Sequence, residues 1–346
     1  MRQFLFLIFL SCSVSLPTAE ALSLNPLNWF SGDRSEEEAE EDFEFINVAT
    51  AADEAAAEEL LARAMVRYEA GRLSAANRLF KKIGKKYPLS TAAGQAHFLR
   101  GRIFMTKERW KKAFDSFQKV VVGSPNFEDF DTVIVSQFDC ATALMEGARG
   151  KILWVIPGFK QYTEAVYQFE VIVNNAPYSD YAPLSLMNIA LISQDLRKEE
   201  IAINALDRLI NFYPQSMLAS DAYYNLAQTY SSLVRGLEYD HGSTRQAISY
   251  YEDFLILFPN SEYLGEVEAN LESMENLLAS SRLTIGDFYY LYRNNNTAAL
   301  IFYNETITIA PESEAAEEAR GRIADIEAGV RPTTGSSLAR RLLFVK

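Results

Sequence analysis

Two histidines, His97 and His241, are the only imidazoles in the chain, and they lie far apart in it. A metal centre needs Cys, His or carboxylate ligands at short spacing, and a general base needs a nucleophile or a second titratable group beside it. Neither histidine has such neighbours in sequence. His97 falls in the helical pattern "AHFLRGRIF", where an imidazole packs or lines a groove, and His241 falls in the polar stretch "RGLEYDHGST". The run "GARGK", Gly147 to Lys151, is too short for a phosphate loop and lacks its Ser or Thr. Cys140, in "SQFDCATALM", reads as a small buried apolar residue rather than a nucleophile. No catalytic set, metal site or cofactor site emerges, so the expectation is binding without catalysis.

One further residue has a chemistry of its own. The opening "MRQFLFLIFLSCSVSLPTAEA" carries Arg2, an apolar run from Phe4 to Leu10 and a small-x-small site at Ala19-Glu20-Ala21, the pattern of a secretory signal cleaved after Ala21. The run is too short to cross a bilayer as a helix. The alternative reading ends the signal before Cys12, whose thiol would then carry lipid, although Phe9 stands where such signals usually have Leu. In either case Cys140 is left without an intrachain disulfide partner.

Charge is partitioned along the chain. From Asp33 to Glu59 there are twelve acidic residues against one Arg; from Arg72 to Lys119 there are thirteen basic residues against two acidic; from Val120 onward there are sixteen basic against thirty acidic. The basic block alone would suit nucleic acid, but the adjoining acidic stretch would compete with phosphate and the signal exports the chain. Nucleic acid is therefore not an expected partner, and an anionic polypeptide or lipid surface is.

The elements that must position these residues follow from a repeat. Six segments share a small residue, a large apolar one four later, another three after that, and a proline five further on. They are Ala76, Phe80, Ile83, Pro88; Ala113, Phe117, Val120, Pro125; Ala165, Phe169, Ile172, Pro177; Ala202, Leu206, Leu209, Pro214; Ala247, Tyr251, Phe254, Pro259; and Ala299, Tyr303, Thr306, Pro311. Spacings of four and three make one helical stripe, and the residue before a proline is pushed out of the α region, which closes each helix. Each segment is thus the second helix of a hairpin. First helices lie upstream, with Gly101 and Phe104, Ala190, and Ala227 and Tyr230 as close-approach and gap-filling positions.

The prolines are 37, 52, 37, 45 and 52 residues apart. Relative to 37, the longer intervals hold three insertions. The first contains "GKILWVIPGFKQY" and falls between the helices of the third hairpin; the second, "RGLEYDHGST", splits the fifth at the same place; the third, "LGEVEANLESMENLLASSRL", lengthens or adds a helix before the sixth. "SEAAEEARGRIADIEAG" should cap the array, with Ser313 at its start and Gly329 at its end. The expected organisation is a signal at 1–21, an acidic arm without fixed structure at 22–56, the array at 57–329 and a basic tail at 330–346.

This pattern resembles the tetratricopeptide repeat. The expected fold is all-α, a solenoid of about six helical hairpins with insertions and a C-terminal capping helix. Together with an exported chain, a Cys near the end of the signal and turns such as "KKYPLS", "NNAPYSDYA", "INFYPQS" and "LILFPNSEY", it resembles the BamD-like lipoproteins of outer-membrane β-barrel assembly. That resemblance implies a non-enzymatic periplasmic role at the inner face of the outer membrane. It also implies C-terminal repeats that contact a BamA-like subunit, and N-terminal repeats that receive the C-terminal segments of unfolded outer-membrane proteins. The alternative is another periplasmic adaptor that coordinates cell-wall or envelope processes. Counting from Ala64 and Gly101, exposed first-helix positions put Leu61, Met65, Tyr68, Phe98, Arg102 and Met105 on the inner face, a set suited to an apolar peptide with a carboxylate. Trp154 and Phe159, in the apolar insertion, either pack on the flank of the array or anchor a partner. Membrane contact would come through a lipid on Cys12 or through the basic first two repeats.

Overall fold

The computed structural model describes residues 49–147, 151–152, 156–157, 161–234 and 241–330. Cys12, Trp154, Phe159, most of the acidic arm and the tail from 331 lie outside the described residues.

The hairpins are α1 (Ala51–Glu69) with α2 (Leu73–Lys86), α3 (Thr91–Met105) with α4 (Trp110–Gly123), α5 (Phe130–Met145) with α6 (Tyr162–Asn175), α7 (Tyr181–Asp195) with α8 (Glu199–Phe212), α9 (Ala219–Leu233) with α10 (His241–Leu257), and α11 (Leu264–Asp287) with α12 (Asn296–Ile309). The helix α13 (Glu314–Glu327) follows them. Each helix packs on the next in sequence, so the fold is an all-α tetratricopeptide-repeat solenoid. Helix α1 begins at Ala51, earlier than the array boundary expected at 57, because the Thr50 side chain accepts the Asp53 amide at 3.2 Å and caps it. His241 opens α10 instead of lying in a polar loop.

Every second helix ends two residues before its proline, and the small and large apolar residues of the stripe are buried in all six. A fully buried Phe such as Phe117 contributes about 2–3 kcal/mol. Thr306, the polar exception, is fully buried, and its hydroxyl donates to the Phe302 carbonyl at 2.9 Å. Ser313 caps α13 by accepting the Ala316 amide at 3.1 Å.

Close approach explains the small residues of the first helices. A Cβ on Gly101 would lie 2.4 Å from the Phe117 ring, and one on Gly286 would lie 2.6 Å from the Tyr303 ring. These glycines let each second-helix aromatic rest against the backbone of its partner.

Two features depart from regular hairpins. In the third, Lys151–Ile152 (β1) pairs antiparallel with Ile156–Pro157 (β2), Lys151 opposite Pro157 and Ile152 opposite Ile156. A ribbon of two strands has free edges, which is where a strand can hold a proline. In the sixth, α11 runs for 24 residues and passes into a π-helical turn, Phe288–Tyr292. The third insertion has lengthened this helix. The small residue precedes the repeat alanine by 12 in Ala64/Ala76, Gly101/Ala113 and Ala190/Ala202, but by 13 in Gly286/Ala299. The left-handed turn residues Gly71, Glu108 and Arg197 follow their small residues by seven, whereas Asn294 follows Gly286 by eight. The extra residue lies between Gly286 and Asn294, and the π turn absorbs it.

The apolar core is continuous from α1 into α9 and then breaks. Hairpin five has its own cluster around Tyr251 and Phe254, and hairpin six has two more, around Tyr303 and around Ala279.

Candidate peptide-binding face

First helices touch one another along one side of the array, α1 with α3 and α5 with α7. Their exposed positions recur at fixed offsets from the small residue. Three before it stand Leu61, Phe98, Met187 and Tyr224; one after it, Met65, Arg102, Leu191 and Gln228; four after it, Tyr68, Met105, Gln194 and Ser231.

In hairpins one and two these positions are apolar with one cation. Leu61, Met65, Tyr68 and Met105 are half-buried, each resting on the core with part of its side chain open. The Tyr68 ring meets Phe80 edge-on at 6.2 Å. Arg102 is exposed, its guanidinium 6.0 Å from the Phe98 ring centre. Phe98 itself does not line the face. It is 5% exposed, with Phe117 at 5.9 Å and Phe127 at 5.5 Å. Phe127, from the turn after α4, closes over it, so Phe98 belongs to the core.

Hairpin four adds Leu191, which the same offset from Ala190 finds, and Leu184, six residues before Ala190, which it does not; each is more than a third exposed. From Gln194 of hairpin four into hairpin five the same positions turn polar and are occupied by internal bonds. Gln194 donates to the Thr229 hydroxyl at 2.8 Å, and Tyr224 donates to Glu266 at 2.5 Å while stacking on Tyr263 at 4.8 Å. The face is therefore apolar with a cation at the N-terminal hairpins and polar, already paired, at the fifth.

His97 is not on this face. It points at the preceding second helix, where a Cβ on Gly84 would lie 2.5 Å from the ring. Burial, with Arg100 and Lys119 nearby, pushes its pKa down to about 4, and its Nδ1 has no hydrogen-bond partner. Such an imidazole is neutral packing. Cys140 is fully buried, and burial, with Asp139 adjacent, pushes its thiol up to about 12, which makes it inert. Among the described residues no cluster of three His, Cys, Asp or Glu could hold a metal, and no helix is long and apolar enough to cross a membrane.

Residues 158–327 match the family model YfiO, described as an outer membrane lipoprotein, and residues 61–126 match a tetratricopeptide-repeat model. The outer membrane protein assembly factor BamD of Caulobacter vibrioides is 27% identical over 140 residues, 40% of this chain and 45% of its own length. That of Rickettsia prowazekii is 27% identical over 148 residues, 43% and 59%. The chain is thus similar to the outer membrane lipoprotein model across its C-terminal half and to tetratricopeptide repeats in its first two hairpins. It spans about half the length of these relatives. A solved structure of Pseudomonas aeruginosa PilF aligns over 78% of this chain and 99% of its own at 13% identity, with a TM-score of 0.29.

Proposed function

We propose that the chain is a non-enzymatic adaptor in outer-membrane protein assembly, working on the periplasmic side at the inner face of the outer membrane. The observation that carries this reading is the match of residues 158–327, from within the third hairpin to the cap, to the outer membrane lipoprotein family, alongside two assembly factors of the BamD type. In this reading the first two hairpins receive C-terminal segments of unfolded outer-membrane proteins, and the C-terminal hairpins hold a BamA-like subunit. Support for the first half comes from the half-open Leu61, Met65, Tyr68 and Met105 beside exposed Arg102, which offers a planar fork to a carboxylate at the end of an apolar strand. Leu184 and Leu191 would extend the apolar track. Trp154 and Phe159 serve as a second anchor for a protein partner, and a lipid on Cys12 or the basic first hairpins keep the chain at the membrane.

Both halves are tested on one preparation. A labelled peptide copying the last strand of an outer-membrane barrel, ending in Phe with a free carboxylate, should bind the full chain. It should bind the M65D/R102E double variant at least about tenfold more weakly. Co-purification of a BamA-like subunit should survive that variant and be lost when the chain is truncated before Leu264. Unchanged peptide affinity removes the N-terminal assignment, and co-purification by the truncated chain removes the C-terminal one.

A further inference from the structure

The turns that join one hairpin to the next are short, so neighbouring helices run antiparallel and every second helix ends on the same edge of the array. Among the described residues ten large apolar side chains are more than half exposed, and seven of them stand on this edge. Leu89, Tyr178 and Met217 lie in the turns; Val122, Phe212, Ile256 and Leu257 lie in the last turn of a second helix. Exposed apolar residues scattered singly need no explanation, but a row of them along one edge marks an interaction surface.

Charge indicates what the row faces. Helix α2 carries Arg78, Lys81, Lys82, Lys85 and Lys86, all exposed, and no acidic residue. None of the five is ion-paired among the described residues. Lys85 and Lys86 occupy the last turn of α2, directly before Leu89, and Lys119 stands one turn before Val122. The carboxylates on this edge, Glu128, Asp129 and Asp180, belong to later turns and leave the end of α2 cationic. Apolar tips with ammonium groups a turn behind them match a bilayer surface, where phosphate lies outside the acyl layer and a lysine stem spans the step between them.

The third and fourth hairpins add a cleft of about 400 Å³ between Tyr178 and Phe212, with Val173 and Leu186 in its walls. Its cation, Arg208, is spent on Glu170 at 2.7 Å, so the cleft is neutral and apolar, a place for an acyl chain end and not for a headgroup. A protein partner would have to supply a shaped pocket for each protruding tip, whereas an acyl layer takes them all without a matched shape. On α10 the character changes: Glu252 and Asp253 stand one turn before Ile256 and Leu257, so the contact ends before hairpin five.

We propose that the turn edge of hairpins one to four docks on the surface of an anionic phospholipid bilayer. Lys82, Lys85, Lys86 and Lys119 meet the phosphates, while Leu89, Val122, Tyr178, Phe212 and Met217 reach the acyl boundary. The inference rests on the reading that the basic first hairpins keep the chain at the membrane, and it adds which edge makes the contact and that the contact needs no lipid on Cys12.

The mature chain from Leu22, which has no Cys12 to carry a lipid, tests it by flotation with phosphatidylcholine vesicles that contain about 30% phosphatidylglycerol. It should float with these and not with pure phosphatidylcholine. The K82E/K85E/K86E variant should bind at least about tenfold more weakly, its helix content unchanged because all three side chains are exposed. Depth is read from a polarity-sensitive dye on Y178C; the remaining thiol, Cys140, is fully buried and escapes labelling. Anionic vesicles should shift its emission to the blue, and should leave unchanged the dye on V66C, an exposed site near the end of a first helix and so toward the opposite edge. The proposal is overturned if the chain does not float with anionic vesicles, if the triple variant floats as the parent does, or if the two dyes respond alike. Polyglutamate bound tightly by a chain whose Y178C dye ignores vesicles would assign the cationic end to an acidic polypeptide instead. Co-purification of a BamA-like subunit by the triple variant separates failure here from failure of the adaptor reading.

Discussion

His97 shows how one residue ties the array to pH. Its folded value of about 4 lies below the ordinary 6.5, so as pH falls the unfolded chain takes up its proton first. The stability contributed by neutral His97 is complete above 6.5 and drains as pH drops toward 4. Discounted for its partial exposure, the effect is about 1–2 kcal/mol. Urea midpoints measured between pH 7 and pH 4 should fall further for the parent than for H97L, because many carboxylates titrate in both but only the parent must charge a packed imidazole. Parallel curves would count against this. Sequence alone assigned His97 to a helix, but Gly84 as its neighbour required coordinates. The same limit applied to Phe98. Helical spacing put it beside Arg102 on an open face, and no periodicity announces that Phe127, from a turn, folds over it.

Between helices, the decisive contacts are backbone against ring. In G101A the new Cβ would stand 2.4 Å from the Phe117 ring, which is itself fully buried and has nowhere to retreat. The expected cost is about 1–3 kcal/mol, read as a lower Tm with helix content retained in circular dichroism. By contrast G123A, where a Cβ would meet nothing within 4 Å, should leave Tm level or raise it. The hairpins themselves were legible because alanine, aromatic and proline recur in phase, and each feature acts locally: small for approach, large for filling, proline for stopping. The ribbon Lys151–Pro157 and the π turn were not. Both depend on which backbone groups pair, and the spacing of 13 at Gly286/Ala299 reveals that a residue is extra without saying which element absorbs it.

Across the molecule, stability should follow the connectivity of the core. Hairpins one to four and the first half of α9 share one apolar cluster, whereas the rest of hairpin five and hairpin six hold separate small ones, with the buried guanidinium of Arg282 on α11. In a solenoid each unit draws stability from its neighbours, so the C-terminal hairpins should open at lower free energy. Hydrogen exchange is expected to reach the amides of α12 and α13 before those of α3 to α8, and R282M should narrow the difference. Uniform protection along the chain would contradict a segmented core. The capping helix is tied on by Arg322, which donates to Asp287 at 3.1 Å while Tyr303 donates to the same oxygen at 2.7 Å. The segmentation has a mechanical corollary. Tension applied along the array would not rupture it in one event; the far hairpins would let go while the near ones still held, turning a steady pull into stepwise lengthening and leaving the N-terminal hairpins intact longest.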